Sequence, residues 1–503
     1  MPSTLKLVDR GPITFDSAKE TDENIINQSA YFAATTALYN QLWAERDTIS
    51  AVVKHHLGLG HLHDCIVQPP LEWIRGSFNV CVPVSVTSGA VRKKYILRCP
   101  MTHKLAEARY PGTVDEKLGC EVGTYAWMQD HCPEIRIPFL YGFGFSDHRH
   151  YIRLARTFRR GIRAILQRPG LSHYVSNQTR HQLSTAYILI EYIEPDVGQM
   201  LSATWEQHRQ DPDRRATVLR GMARIILSLA RIPQPRIGSF QFHDDCTVTL
   251  TNRPLTCSMM ILENDGTPRV MSPNDTYSCT EPFVADMLNM HDNRLLSNPN
   301  AIEDEQECRS QMATRTLLRC LVHHFISRER RNGPFLLQFT DLHASNLFVD
   351  QDWNITCLVD LEWVCALPSE MISVPYWLSG VGIEEITEEH LENYKGIVQE
   401  FIRIVRDTES ETQGHCSMLA RTMRDMWDSQ GIWFWYCLES VNAMYFLWPI
   451  TFVPGSLPPY PKRLRTFCRV CGARTRTRLS RRKLKTTAGM CGSSGDCLIE
   501  GSR

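Results

Sequence analysis

The chain has no net formal charge, since 55 Lys/Arg balance 55 Asp/Glu over 503 residues, and no long uninterrupted hydrophobic run. Its most apolar stretch, Trp433 to Val453, is broken by Glu439, Asn442 and Pro449, which makes it a buried helix rather than a membrane span. The N-terminus, Met1-Pro2-Ser3-Thr4-Leu5-Lys6, lacks the apolar core of a secretory signal. The 18 cysteines are scattered from Cys65 to Cys497, often in apolar settings such as Tyr436-Cys437-Leu438, and lack the tight spacing of a disulfide framework. A reduced, cytoplasmic protein without membrane insertion is therefore expected. No internal repeat is evident. The neutral total hides an asymmetry: residues 461–503 carry 12 Lys/Arg against 2 Asp/Glu, which leaves 43 against 53 in the first 460. A solvated tail is the expectation, and nucleic-acid contact through it is not.

What is present is enough apolar material, 43% of residues, to bury a large core. Residues 1–65 read as a mostly helical extension, with apolar positions Tyr39, Leu42, Trp43 and Ile49 in the amphipathic stretch Ala30–Val53. Leu71–Val82, Val84–Val86 and Lys94–Arg98 read as strand, loop, strand, turn and strand, followed by a helix over Thr113–Gln129 and further strands at Phe139–Phe145 and Tyr187–Tyr192. This predicts a sheet of about five strands crossed by one helix. Between the last two strands, Arg149–Arg180 holds eight arginines and a predicted helix over Tyr151–Gln167. A solvated insertion is favoured there over a surface for an acidic partner. Beyond Glu194 the pattern turns helical at Val197–His208, Pro212–Ala230, Ile302–Ser327, Ile386–Arg406 and Ser417–Trp427. Gly238–Val270 reads as a small β excursion, and Ser272–Asn300 as loop around a short helix.

The chemistry concentrates in Phe339-Thr340-Asp341-Leu342-His343-Ala344-Ser345-Asn346 and, one strand and a turn later, Val359-Asp360-Leu361-Glu362. An Asp, an Asn five positions on, and a second Asp ending the next hydrophobic run is the spacing of a phosphoryl-transfer site. Asp341 would accept the proton of an attacking hydroxyl, and Asn346 and Asp360 would hold Mg²⁺ against nucleotide phosphates. Alone, the pattern favours an Asx-rich turn over a site. Weaker signals precede it in the expected order. The turn Arg75-Gly76-Ser77-Phe78-Asn79 lets backbone N–H groups approach phosphates at Gly76 and Ser77. Arg98 ends the third strand, where a cation can pair with phosphates, and Glu121 lies on the next helix, where it can orient that cation; an ordinary salt bridge would look the same. Glu191-Tyr192-Ile193 occupies the link between strands and helices, where main-chain groups at Glu191 and Ile193 can meet the adenine edge of ATP. His343 is read as a structural hydrogen-bonding group, and Glu362 either orders the metal site or caps a helix. Cys468, Cys471, Cys491 and Cys497 are read as free thiols rather than a zinc site, because the second pair is too widely spaced. The Trp433-Phe434-Trp435-Tyr436 cluster is read as core rather than pocket lining.

With Gly76-Ser77-Phe78-Asn79, Tyr95-Ile96-Leu97-Arg98, Glu121-Val122-Gly123-Thr124, Asp341 to Asn346 and Cys357 to Trp363 in that order, the chain resembles the aminoglycoside phosphotransferase and choline kinase-like enzymes, in particular their fungal group, over roughly residues 70–455. The resemblance implies an α+β, protein kinase-like two-lobed fold: a β-rich N-lobe over 66–193 with the insertion 149–180, a mainly helical C-lobe over 194–455, and a basic tail over 456–503. It implies ATP and Mg²⁺ as cofactors and a small-molecule acceptor. Two positions depart from the family's pattern, Phe339 in place of a His two residues before the catalytic Asp and Arg98 in place of a Lys. They are the ground for the alternative of a catalytically weak or inactive kinase-like regulatory protein, but with Asp341, Asn346 and Asp360 all present the active phosphotransferase is the preferred reading. A third reading, nucleic-acid binding by the tail and the Arg149–Arg180 stretch, rests on charge alone.

Overall fold

The computed structural model describes residues 4–447 apart from 8–10, 15–16, 19–20, 22, 61–62, 90, 155–170, 303, 387 and 412–418. The tail with its four cysteines and most of the Arg-rich stretch lie outside these residues. The chain combines helices and sheet.

Near the N-terminus, the amphipathic stretch Ala30–Val53 falls on two helices, α1 (Tyr31–Ala44) and α2 (Arg46–Leu57), which meet at a kink at Glu45. Gly58, at φ +64°, caps α2 in the left-handed conformation that glycine adopts without a Cβ clash. A sheet follows, built from β1 (Asp64–Val67), β2 (Ile74–Arg75), β3 (Asn79–Ser88), β4 (Val91–Pro100), β5 (Leu140–Gly144), β6 (His150–Arg153), β7 (Tyr174–Ser176) and β8 (Tyr187–Glu191). The order is β1-β3-β4-β8-β5-β6-β7, with β2 pairing β3 at one edge. Every pairing is antiparallel, and β8 inserts between β4 and β5 with Ile188 opposite Arg98. The sheet thus has eight strands rather than five. β1, β6 and β7 are too short for period-2 alternation to announce them. The predicted helix over Tyr151–Gln167 is corrected in its described part, since Tyr151 to Arg153 belong to β6.

Both faces of the sheet are covered. Leu42, Ile49, Val52 and Val53 of α1 and α2 pack against Val80, Val82, Val84, Leu97 and Leu189 on one face. The other face carries α3 (Thr113–His131), nearly all of it buried. Because side chains alternate along β4, Ile96 and Arg98 share the face toward α3 while Leu97 and Cys99 point away. The start of α3 has no side-chain cap from Gly112; the Glu107 carboxylate accepts from the Gly112 and Val114 N–H groups at 2.7 Å instead.

The remainder is mainly helical around short β pairs. The segment 197–208 is not one helix: β9 (Gln199–Met200) pairs with a later strand, a 3₁₀ turn follows at Leu201–Ala203, and α-helix begins only at Trp205. A Cβ on Gly198 would stand 2.8 Å from Val349 O, so the pairing needs glycine there. Helix α4 (Pro212–Ala230) starts where predicted, with Pro212 at its first position and the Asp211 side chain accepting from Asp213 and Arg214 N–H, a cap contributing about 1 kcal/mol. The β excursion is β10 (Ser239–Phe242) and β11 (Val248–Asn252), followed by the unpredicted helix α5 (Cys257–Asn264). The wholly buried Arg253 donates to Glu116 of α3 at 2.7 Å and also pairs with Glu263 of α5, tying α3 to this region. Ser272–Asn300 contains an 18-residue helix, α6 (Thr280–Ser297), where a short one was expected. Its buried Phe283, Val284, Met287, Leu288 and His291 follow helical spacing, but Asp and Asn on the opposite face give the segment a loop-like composition.

Helix α7 (Glu305–Phe325) leads to β12 (Phe335–Phe339), β13 (Leu347–Val349), β14 (Ile355–Leu358) and β15 (Val364–Pro368). β12 pairs with β15 and β13 with β14. Helices α8 (Glu388–Glu411), α9 (Leu419–Asp428) and α10 (Gly431–Glu439) complete the described chain before a π-helical turn at Ala443–Leu447. Trp433 to Tyr436 are buried in the main core. Among the described residues no helix is long and apolar enough to cross a membrane.

Candidate active site

Asp341 lies in the turn after β12. The ladder that places it ends with Phe339 opposite Val364, and Thr340 continues it by donating from both its N–H (3.1 Å) and its hydroxyl (2.9 Å) to Trp363 O. On the far side, Trp377 Nε1 donates to Leu342 O at 2.7 Å. Packing of Phe339 against the main core and these bonds brace the turn where the resembling family has a histidine. His343 accepts from Ser345 N–H at 3.3 Å, inside the loop. Asn346 is buried, and its Nδ2 donates to Asp341 O at 2.7 Å. The amide is thereby oriented and its Oδ1 remains available as an acceptor. The N–H of Val359 donates to Asn346 O at 2.9 Å, which joins the Asn346 loop to the segment that carries Asp360.

Asp360 adopts φ +64°, a left-handed conformation that short polar side chains tolerate better than most. Its Oδ1 accepts from Arg98 Nη2 at 2.7 Å. The same guanidinium donates through Nη1 to Glu121 at 2.5 Å and lies 3.1 Å from Glu362. A second buried cation, Lys117, one turn before Glu121 on α3, contacts Glu121 at 3.3 Å, Asn79 Oδ1 at 3.1 Å and Glu362. Asn79 Nδ2 donates to Glu362 at 2.8 Å. Two cations and three carboxylates therefore interlock across β3, β4, α3 and the turn after β14.

This arrangement sets the acidities. Burial raises Asp360 to about 6, with Arg98 opposing and Glu362 and Glu121 reinforcing the rise. Burial also pushes Glu362 upward, but Arg98 and Lys117 outweigh it and hold that carboxyl below its ordinary range. Asp341 is raised, chiefly by burial and further by Glu362, while His343 and the neighbouring Cys257 thiol pull it down. A raised carboxyl is a better proton acceptor.

The turn between β2 and β3 arches toward this network. Gly76 and Ser77 are exposed, and Gly76 N–H is closed onto Asn79 O at 2.9 Å. Phe78 is buried with its ring 4.9 Å from that of Trp363, next to Glu362. Glu191 lies apart: its carboxylate accepts from Arg136 at 2.9 Å and from Phe139 N–H at 3.1 Å. Ile193 has no main-chain partner among the described residues. The sequence reading thus named Arg98, Glu121, Asn346 and Asp360, which the structure brings together, and Asp341, which adjoins them. It left Glu362 open and missed Lys117. The available signal for Lys117 was its i,i+4 spacing to Glu121 on a helix with little exposed surface.

On the far side of Asp341 opens a cavity of about 410 Å³, bounded by α5, α6, the end of α10 and the N-terminal segment. Its apolar lining includes Ile261, Phe283, Met287 and Tyr436, so one member of the aromatic cluster does line it.

Asn346 and Asp360 offer an amide and a carboxylate oxygen, hard donors of the kind Mg²⁺ takes when phosphates complete its shell. No group of three or more His, Cys, Asp or Glu that could hold a metal by itself occurs among the described residues.

No known protein-family model matches the chain, and no curated protein does. Among solved structures it is similar to spectinomycin phosphotransferase, APH(9)-Ia, in complex with ADP and spectinomycin, with 14% identity, a TM-score of 0.28, and coverage of 78% of this chain and 98% of that one.

Proposed function

We propose that the chain is an ATP- and Mg²⁺-dependent phosphotransferase acting on a hydroxyl of a small molecule, with a kinase-like arrangement of an N-lobe over 66–193 and a C-lobe over 194–455. The observation that carries the proposal is the convergence of the Arg98–Glu121 pair on Asp360, beside Asn346 and one turn from a half-buried Asp341 whose carboxyl is raised. These groups come from distant parts of the sequence, and a chance Asx-rich turn has no reason to gather them. Asp341 takes the proton of the acceptor hydroxyl as that oxygen bonds to the γ-phosphorus and the bridging P–O bond breaks to release ADP. Arg98, oriented by Glu121, faces the phosphates, and the Gly76-Ser77 turn covers them. When bound at Asn346 and Asp360, Mg²⁺ supplies positive charge against the phosphates. The cavity beside Asp341 receives the acceptor.

The test is an ATP titration with and without Mg²⁺, with Asp341→Asn alongside. The expected result is Mg²⁺-dependent binding that survives the substitution, with acceptor-dependent ATP consumption falling by about 10²–10⁴-fold. Failure to bind ATP at any Mg²⁺ concentration sinks the proposal. The contact of Arg98 with Asp360 supports a second reading, a weak or inactive kinase-like regulator, in which the guanidinium stays on the metal-binding carboxylate. Binding of ATP that is indifferent to Mg²⁺ and unproductive would favour it.

A further inference from the structure

Helix α4 carries one face that the active site does not use. Thr217, Arg220, Gly221, Arg224, Ser228 and Arg231 recur along it at helical spacing and line a cavity of about 960 Å³, more than twice the volume beside Asp341. The two cavities share no lining residue. The larger one is closed by the loop after α3 and by β14, where Leu358 N–H donates to Arg136 O at 2.9 Å. α4 lies so close to β14 that a Cβ on Gly221 would stand 2.8 Å from the Ile355 side chain. The floor is apolar, made by the buried Ile135, Ile225, Cys357 and Leu358.

Four arginines and two carboxylates surround this floor. Most are already engaged. Glu134 accepts from Ser228 and pairs with Arg231 at 2.9 Å, Arg136 pairs with Glu191 at 2.9 Å, and Glu409 accepts from Leu419 N–H at 3.0 Å. Arg220 and Arg224 are the exceptions, with no hydrogen-bond or ion-pair partner among the described residues. No Asp or Glu lies three or four positions from either along the helix, where a solvated face sets compensating charge, and at i,i+4 the two cations repel each other.

We propose that this cavity is a second ligand site, which binds a phosphate monoester with an apolar body: the phosphate between Arg220 and Arg224, the body on the floor. A phosphate monoester carries a charge of about −1.5 to −2 at pH 7 and its oxygens match two guanidinium forks, whereas a monocarboxylate leaves one cation uncompensated. Binding also relieves the repulsion between the two arginines. The volume lies within the range of about 300–1,000 Å³ usual for small-molecule pockets, and an apolar floor with a few placed cations is their usual lining.

The probe is naphthyl phosphate, titrated by calorimetry into the full-length protein, with inorganic phosphate, naphthol and naphthoate as comparisons. One-to-one binding is expected, about tenfold or more tighter than that of inorganic phosphate or naphthol, and tighter than that of the monoanionic naphthoate. Arg220→Ala and Arg224→Ala are each expected to weaken it about tenfold, because each removes a charge-assisted hydrogen bond. Both side chains are exposed, so the urea midpoint of each variant should stay at the wild-type value. Arg309→Ala/Arg403→Ala, at exposed positions outside the cavity, changes net charge as much as Arg220→Ala/Arg224→Ala does and should leave binding unchanged. Absence of one-to-one binding overturns the proposal, as does equal affinity for naphthoate or an equal loss in the control pair. Displacement of naphthyl phosphate by MgADP overturns it as well, since the probe would then occupy the nucleotide site.

Discussion

Replacing Lys117 with Met tests the buried charge network most directly. Lys117 is almost fully buried and touches Glu121, Glu362 and Asn79. Without it, Glu121, Glu362 and Asp360 share the single cation Arg98. Removing one partner from a buried ion pair typically costs about 3–5 kcal/mol, because the surviving charge loses its compensation without regaining water. The Met side chain fills most of the volume, so little of the loss should come from a cavity. Glu362 is the carboxylate most affected, since Arg98 and Lys117 together hold it below its ordinary range against burial. Its pKa in the folded variant should therefore rise. A carboxyl raised by folding adds stability as pH falls, so the variant's deficit should shrink between pH 7 and pH 5.

The assay is equilibrium urea unfolding of wild type, Lys117→Met, Glu362→Gln and the double variant. The double should be more stable than the sum of the single losses predicts, by about 1–3 kcal/mol of coupling. A loss below about 1 kcal/mol for Lys117→Met, or strict additivity, would show that the network is not the tightly coupled unit described here.

The remaining predictions concern acid stability and the Asp341 turn. His56 and His150 each contact Tyr187 OH at 2.7 Å, and burial lowers them to about 3 and about 4. Both are neutral in the fold, so the unfolded chain takes up protons first as pH drops below its ordinary histidine value. Wild type should then lose stability relative to His56→Gln by about 1.4 kcal/mol per pH unit below pH 6.5. Asp265, Glu439 and Asp360 are shifted upward and push the opposite way, which is why the difference between the two proteins is the quantity to measure. A pH-independent difference would refute the claim that His56 stays neutral. Trp377→Phe removes the donor to Leu342 O and should cost about 1 kcal/mol in urea unfolding, while lowering any Asp341-dependent turnover more than it weakens ATP binding. Equal losses in both would show that the Trp377 bond does not act through the turn.

Local sequence determined a good deal. Pro212 after Asp211 starts α4 through capping that needs no distant partner, and the apolar run Tyr95-Ile96-Leu97 between charged residues after a turn marks β4. The interval from Asp341 to Asn346 is likewise local, since one loop and a 3₁₀ turn span it and the Asn346 amide reaches back to Asp341 O. Where a segment's pairing or burial depends on something far away, the chain alone decided little. α6 was obscured because half its surface is polar, and only packing shows which half faces inward. The span 197–208 begins as strand rather than helix because Gln199–Met200 pairs with Phe348–Val349, an approach that Gly198 permits. Lys117 and Glu362, far apart in sequence, are partners only because α3 and the turn after β14 meet beneath β4, and Glu23 reaches the Asp341 cavity only because Asn24 and Asn27 bond to α5. Sequence spacing thus set the groups that act within one loop. Tertiary structure decided which buried charges compensate one another, because that balance depends on distances between elements that no local pattern encodes.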